Sequence, residues 1–276
     1  MRRHSLAGGL AVLGAAAALV VAQIGVLATS VYPQGSTGYD ISYPQCQTSY
    51  PTGAFGIVGV NKGYPFTYYN PCFASEWDSA QTTASVSVYI NTGYDPSYTN
   101  STDGRHTTAD CVTRSTGVGA NGAQQSAWAV GCSEAERSVE YASCGDNVIP
   151  STCSTIVSPA AWWLDVESGN SWCGQAGTSC SDLSLNDYTI QGVLDTLHRL
   201  SNSQVPVGVY STSSQWTAIV GWAAPAFTGI DADWLATGAR SAKSARSYCK
   251  TTGFTGSAPV WLVQFLPGRY DADYAC

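Results

Sequence analysis

The run Trp162-Trp163-Leu164-Asp165-Val166-Glu167 places two carboxylates two residues apart in a stretch that otherwise reads as a buried strand. Side chains alternate across a strand, so Asp165 and Glu167 point to one face with Cα atoms roughly 6.6 Å apart. Like charges held that close and partly desolvated drive one carboxyl toward its protonated form while the other stays ionised. One acid and one base are the groups that cleavage of a glycosidic bond requires. The same spacing also suits a plain pair at a strand end, solvated at a surface or held by backbone donors.

The elements around this pair read as alternating strands and helices. Strand-like runs cover Gly38 to Ser42, Phe55 to Asn61, Ser85 to Asn91, Ala161 to Glu167, Val205 to Tyr210, Asp233 to Ala236 and Val260 to Phe265. Helix-like stretches cover Pro71 to Thr83, Ala123 to Tyr141, Leu185 to Ser201 and Ser213 to Val220, with Asn186 or Ser184 placed to cap the third. Alternation of this kind predicts parallel β/α units, hence an α/β chain folded as a TIM-like (β/α) barrel, regular or not, with disulfide-stapled loop insertions. Such a barrel gathers chemistry at the C-terminal ends of its strands. Those ends carry Asp40, Asn61 with Lys62, Asn91, Asp165 with Glu167, Tyr210, Gln264 and the stretch Tyr270-Asp271-Ala272-Asp273. Taken singly, each has an ordinary structural use; Asp40 can cap a turn, and Lys62 can pair with a carboxylate for stability.

Two segments interrupt the alternation. Tyr94 to Gly122 is rich in Thr, Ser, Gly and Asn and reads as an exposed excursion, and Cys144 to Ser158 reads as a second one stapled by its own cysteines. No linker or repeat divides the chain, so residues 31–276 are expected to form a single domain. Residues 1–30 differ from the rest. Arg2, Arg3 and His4 precede a nearly uncharged run to about Leu27 that ends in Ala28-Thr29-Ser30. This is the pattern of a secretory signal peptide, and its length also allows an N-terminal anchor.

All 10 cysteines lie after that segment, an even number that predicts disulfides in an exported chain, with Cys173 and Cys180 the safest pair. No C-x-x-C occurs, and beyond His4 only His106 and His198 remain, so neither a metal nor any other cofactor is expected. Nineteen Asp and Glu outweigh 12 Lys and Arg, for a formal net charge of −7. An acidic surface argues against nucleic acid, whose phosphates require a basic patch. Few charges with 9 Trp and 16 Tyr suit a protein that handles sugars, although aromatic residues mostly fill cores.

These residues resemble the glycoside hydrolase family 25 lysozymes, β/α-barrel muramidases that cut peptidoglycan. Tyr39-Asp40-Ile41-Ser42 is similar to that family's first-strand D-x-S, and Ile57 to Gly63 to its second strand. Leu164-Asp165-Val166-Glu167 is similar to its L-D-x-E, Gly208-Val209-Tyr210-Ser211 to its G-x-Y-[ST], Trp261 to Phe265 to its penultimate strand, and Asp271 to its late aspartate. The family's second strand continues K-A-T-E-G, whereas Lys62 here is followed by Gly63-Tyr64-Pro65 and the glutamate is missing. The insertions and cysteines suggest a divergent secreted branch of actinobacterial type.

The resemblance implies that Glu167 is the general acid, that Asp165 orients the N-acetyl group or stabilises its oxazolinium, and that Asp40 and Asp271 are outer carboxylates. Lys62, Asn91, Tyr64, Tyr210, Trp234 and Gln264 are then the candidate substrate contacts, with Lys62 the one nearby cation and the three aromatics as walls for sugar faces. All four carboxylates should line one pocket, and Glu167 is the one whose pKa is expected to rise. The expected protein is an extracellular or wall-associated monomer acting on peptidoglycan, with no membrane contact once the leader is removed. A second reading, which rests on the missing glutamate and the insertions, is an inactive barrel that binds cell-wall glycan or a surface partner.

Overall fold

The computed structural model describes residues 29–46, 49–63, 65, 69–83, 85–99, 107–144, 158–222, 226–256 and 258–276. The leader, Tyr64, His106 and most of the second excursion lie outside the described residues. Eight strands close into one barrel in chain order: β1 (Thr37–Ile41), β2 (Gly56–Gly59), β3 (Val86–Asn91), β4 (Trp162–Asp165), β5 (Val207–Ser211), β6 (Ala232–Ala239), β7 (Val260–Phe265) and β8 (Asp271–Ala275). Neighbours from β1 to β7 are parallel, whereas β8 runs antiparallel to both β7 and β1. The expected all-parallel closure therefore fails at one strand. The connection from Phe265 to Asp271 is too short for a crossover helix, so the chain turns straight back and pairs as a hairpin.

Six helices accompany the strands: α1 (Phe73–Ala80), α2 (Ala109–Arg114), α3 (Gly122–Cys144), α4 (Ser184–Leu200), α5 (Ser213–Val220) and α6 (Ala242–Ala245). The first excursion is ordered where it is described, with a 3-10 turn at Pro96–Thr99 and α2, which the Cys111–Cys132 disulfide ties to α3. Disulfides also join Cys46 to Cys72, Cys173 to Cys180 as expected, and Cys249 to Cys276. Among the described residues, no helix is long and apolar enough to cross a membrane.

Because helices cover the outside and side chains fill the inside, β2 and β4 are buried at every position, and the strands read as apolar runs rather than alternations. The barrel interior is aromatic: Tyr32, Phe55, Trp163, Trp234 and Trp261 pack with Ile57 and Leu262. Tyr32 sits at the floor, where its hydroxyl donates to Ser87 Oγ at 2.6 Å and accepts the Trp163 indole N–H at 2.7 Å.

Outside, α3 lies against α4 at glycine contacts. A Cβ at Gly131 would stand 1.9 Å from the Thr189 carbonyl oxygen, and one at Gly192 would stand 2.2 Å from that of Trp128. Only hydrogen at both positions lets the two backbones approach so closely. Asn186, expected as a cap, is instead a buried bridge. It accepts the Cys173 amide and donates to the carbonyls of Cys173 and Ile219, which joins α4 to the loop after β4 and to α5.

Candidate active site

Six of the seven parallel strands deliver an inward side chain to the same end of the barrel. Asp40 comes from β1, Tyr89 from β3, Asp165 from β4, Tyr210 from β5, Trp234 from β6 and Gln264 from β7, and together with Glu167 and Asp271 they line a pocket of about 140 Å³. Asp271 reaches this end because β8 is reversed, so that its first residue pairs with Asp40. Thus Asp40, Asp165, Glu167 and Asp271 surround one cavity although they span nearly the whole chain.

Asp165 ends β4 and is 6% exposed. Its Oδ2 accepts the Asn91 side-chain amide, and its Oδ1 has no partner among the described residues. Asn91 is itself fixed, its backbone N–H donating to Asn61 Oδ1 at 3.0 Å. Just beyond, Asn170 donates to the carbonyls of Asp165 and Thr92 at 3.0 Å each, pinning the turn that carries Glu167. Glu167 is half-buried and hydrogen-bonds the side chain of Gln215 on α5. Burial raises its pKa, the Gln215 bond opposes that rise, and the charge of Asp271 adds to it.

The rise expected for Glu167 is shared by its neighbours. Burial holds Asp165 well above the ordinary carboxylate range, with further contributions from the charges of Glu167 and Asp40. Asp40 is pushed up to about 7 by burial and then by Asp271, against the stabilising bond from Gln264. Asp271 is also raised by burial. Among the described residues, no Lys or Arg lines the pocket to offset these charges.

Tyr210 and Gln264 lie where expected, joined in a chain in which the Tyr210 hydroxyl donates to Gln264 Oε1 at 2.9 Å and Gln264 Nε2 donates to Asp40 Oδ2 at 3.2 Å. Lys62 does not join them. Asn61 forms an antiparallel bridge with Tyr69 and Gly63 adopts a positive φ of 81°, so the chain turns away after β2 and the Lys62 ammonium rests 5.5 Å from the centre of the Tyr43 ring. Trp234 is not an open wall for sugar. It is 2% exposed, meets Tyr210 edge-on with ring centres 4.5 Å apart, and donates its indole N–H to Asp273 Oδ1 at 2.8 Å, so it forms the floor.

Tyr89 and Gln215 have no place among the residues expected from the sequence, and Asp273 appears there only within a polar strand end. Tyr89 fits because Gly59 faces it; a Cβ there would stand 2.6 Å from the phenol ring. Its period-2 spacing from Asn91 in the same strand could have revealed it. Asp273 repeats the two-residue spacing from Asp271, the signal used for Asp165 and Glu167. Gln215, on a helix after a different strand, carries no such signal.

The fold and site define an eight-stranded α/β barrel whose mouth is lined by carboxylates. No protein-family model matches the sequence, and no curated protein sequence matches it. Among solved structures, a family GH25 lysozyme from Aspergillus fumigatus is similar, with a TM-score of 0.50 and 16% identity over 87% of this chain and 93% of that one. A muramidase from Acremonium alcalophilum aligns with a TM-score of 0.48 and 17% identity over 87% of this chain and 93% of that one. The Clostridium perfringens spore cortex lytic enzyme SleM aligns with a TM-score of 0.49 and 10% identity over 87% and 67% of the two chains. The Aspergillus structure shares the barrel fold, the one that the sequence motifs imply.

Proposed function

We propose that this chain is an exported glycoside hydrolase that cleaves β-1,4 amino-sugar linkages of peptidoglycan in the manner of a muramidase. The observation that carries the reading is the convergence of Asp40, Asp165, Glu167 and Asp271 on one pocket at the end of the barrel where the parallel strands finish. The likeness to the Aspergillus fumigatus lysozyme gives that pocket a precedent in fold.

Glu167 is the general acid. Its raised pKa keeps a proton available for the leaving oxygen, and Gln215 fixes its direction. Asp165 faces the substrate's acetamido group. Asn91 occupies one of its oxygens and fixes the orientation of the carboxyl at the pocket. As positive charge develops on the sugar, Asp40 and Asp271 stabilise it from the far side of the pocket. Tyr210 and Gln264 hold Asp40 in place and line the subsite. This chemistry calls for no cofactor or metal.

Four disulfides among the described residues fit a chain that folds in an oxidising compartment, which supports export. Cleavage near Val31 retains Tyr32, whose side chain closes the barrel floor. Purified protein incubated with peptidoglycan should release muropeptides with new reducing ends at muramic acid, identified by mass spectrometry. Tight binding to walls without reducing ends would overturn hydrolysis and favour a glycan-binding barrel.

A further inference from the structure

Beneath the four carboxylates lies a fifth. Asp273 is one inward position below Asp271 on β8, opposite Gly38 on β1, so its side chain lies diagonal to Asp40 across the strand pair. It is fully buried. Oδ1 accepts the Trp234 indole N–H at 2.8 Å, and Oδ2 has no donor among the other described residues. Across that diagonal the two carboxyls, Asp40 and Asp273, approach and interact with each other. Two carboxylates have only acceptors, so a stable contact between them needs a shared proton.

We infer that Asp273 is a positioning residue of the proposed hydrolase, holding that proton permanently and donating it as a hydrogen bond to Asp40, which orients the Asp40 carboxyl toward the pocket and favours its ionised form. The assignment of the proton to Asp273 follows from depth. Asp40 reaches the pocket and receives a second bond from Gln264 Nε2, which favours its charge, whereas Asp273 is sealed under Trp234 with a single neutral donor. The titratable groups facing the pair all agree in sign. Asp271, Asp165 and Glu167 bring negative charge from above, Tyr89 and Tyr210 are phenols held neutral by burial, and Tyr32 lies neutral below. With no cation among the described lining residues, a second ionised carboxylate beside Asp40 has nothing to balance it.

The inference rests on the proposed hydrolase activity for its purpose but not for its test. Carbon-13 NMR of the aspartate carboxyls in the intact chain should show Asp273 with a protonated-carboxyl shift that stays unchanged from pH 4 to pH 8, while Asp40 titrates near 7. A titration of Asp273 below pH 6 would overturn the inference, whether or not the protein cleaves peptidoglycan. Kinetics supply the second arm. Asp273→Asn keeps a donor toward Asp40 and an acceptor toward Trp234, so turnover should stay within about twofold of wild type with the same pH profile. Asp273→Leu removes the donor; turnover should fall about 10- to 100-fold, and the limb due to Asp40 should move upward by about one pH unit. A profile displaced by a full unit in Asp273→Asn would show that the native residue is ionised and would likewise refute the assignment. Should the leucine variant fail to fold, the spectrum of the wild type and the profile of the asparagine variant still decide.

Discussion

A carboxyl can hold a proton at neutral pH only where its surroundings penalise its charge, and the mouth of this barrel does so five times over. What separates the roles is the partner of each group. Glu167 is bonded to the Gln215 side chain and stands two residues past the end of β4, toward the opening. It is the group best placed to deliver a proton outward. Glu167→Gln should therefore lower turnover by about two to four orders of magnitude, the usual worth of general acid catalysis, while affinity for wall fragments survives. Turnover of a soluble muropeptide oligomer beside calorimetric binding measures both. Unchanged turnover would remove Glu167 from the mechanism.

At the scale of elements, the reversal of β8 decides where Asp271 and Asp273 sit. A parallel eighth strand would begin at the floor and send Asp271, its first residue, to the wrong end of the barrel. The antiparallel strand is held by its ladders to β7 and β1 and by the Cys249–Cys276 disulfide, which spans 27 residues. Replacing both cysteines by serine should cost about 3 to 4 kcal/mol in urea unfolding, as expected for a loop of this length. Activity should be lost at a lower temperature than global unfolding, because the freed strand end frays first.

The helical layer makes a second demand, at the α3–α4 crossing. Gly131→Ala inserts a methyl group against the Thr189 carbonyl, where neither backbone can yield. It should destabilise by about 1 to 3 kcal/mol in the same assay, with catalytic constants of the folded fraction unchanged.

For the whole molecule, the abundance of buried carboxyls sets the response to pH. Asp40, Asp187 and Asp233 are each pushed up to about 7, in every case first by burial. Such groups bind protons more tightly in the folded chain than in the unfolded one, where they titrate near the ordinary 3.8. The stabilisation they lend is complete below that value and is lost as pH rises through 7. The melting temperature should accordingly be higher at pH 4 to 5 than at pH 7.5 by scanning fluorimetry. Asp233, whose Oδ2 accepts from the amide and hydroxyl of Thr255 while Oδ1 has no partner, lies outside the pocket. Asp233→Asn should flatten the pH dependence without altering activity. A melting temperature that climbs steadily from pH 4 to 7.5 would contradict this account.

Seven of the eight strands and the four longer helices are legible in the sequence because burial on both sides forces continuous apolar runs, and helices between them force parallel pairing. The pair Asp165 and Glu167 is legible for a similar reason: strand periodicity alone puts them on one face. The eighth strand is not. Asp271-Ala272-Asp273-Tyr274-Ala275 alternates too polar a pattern to announce a strand, and it becomes one only because closure offers it two free edges. Lys62 and Trp234 show the same limit. Their neighbours in sequence place them at the mouth, but the turn after Asn61 carries Lys62 away and the depth of β6 sinks Trp234 beneath the pocket. Local periodicity is a property of neighbours along the chain, so the sequence by itself determined which residues share a face. Depth, strand direction and the company that Asp40 keeps with Asp273 arise from contacts between separate elements, up to the pairing of the first strand with the last, and only the closed barrel could decide them.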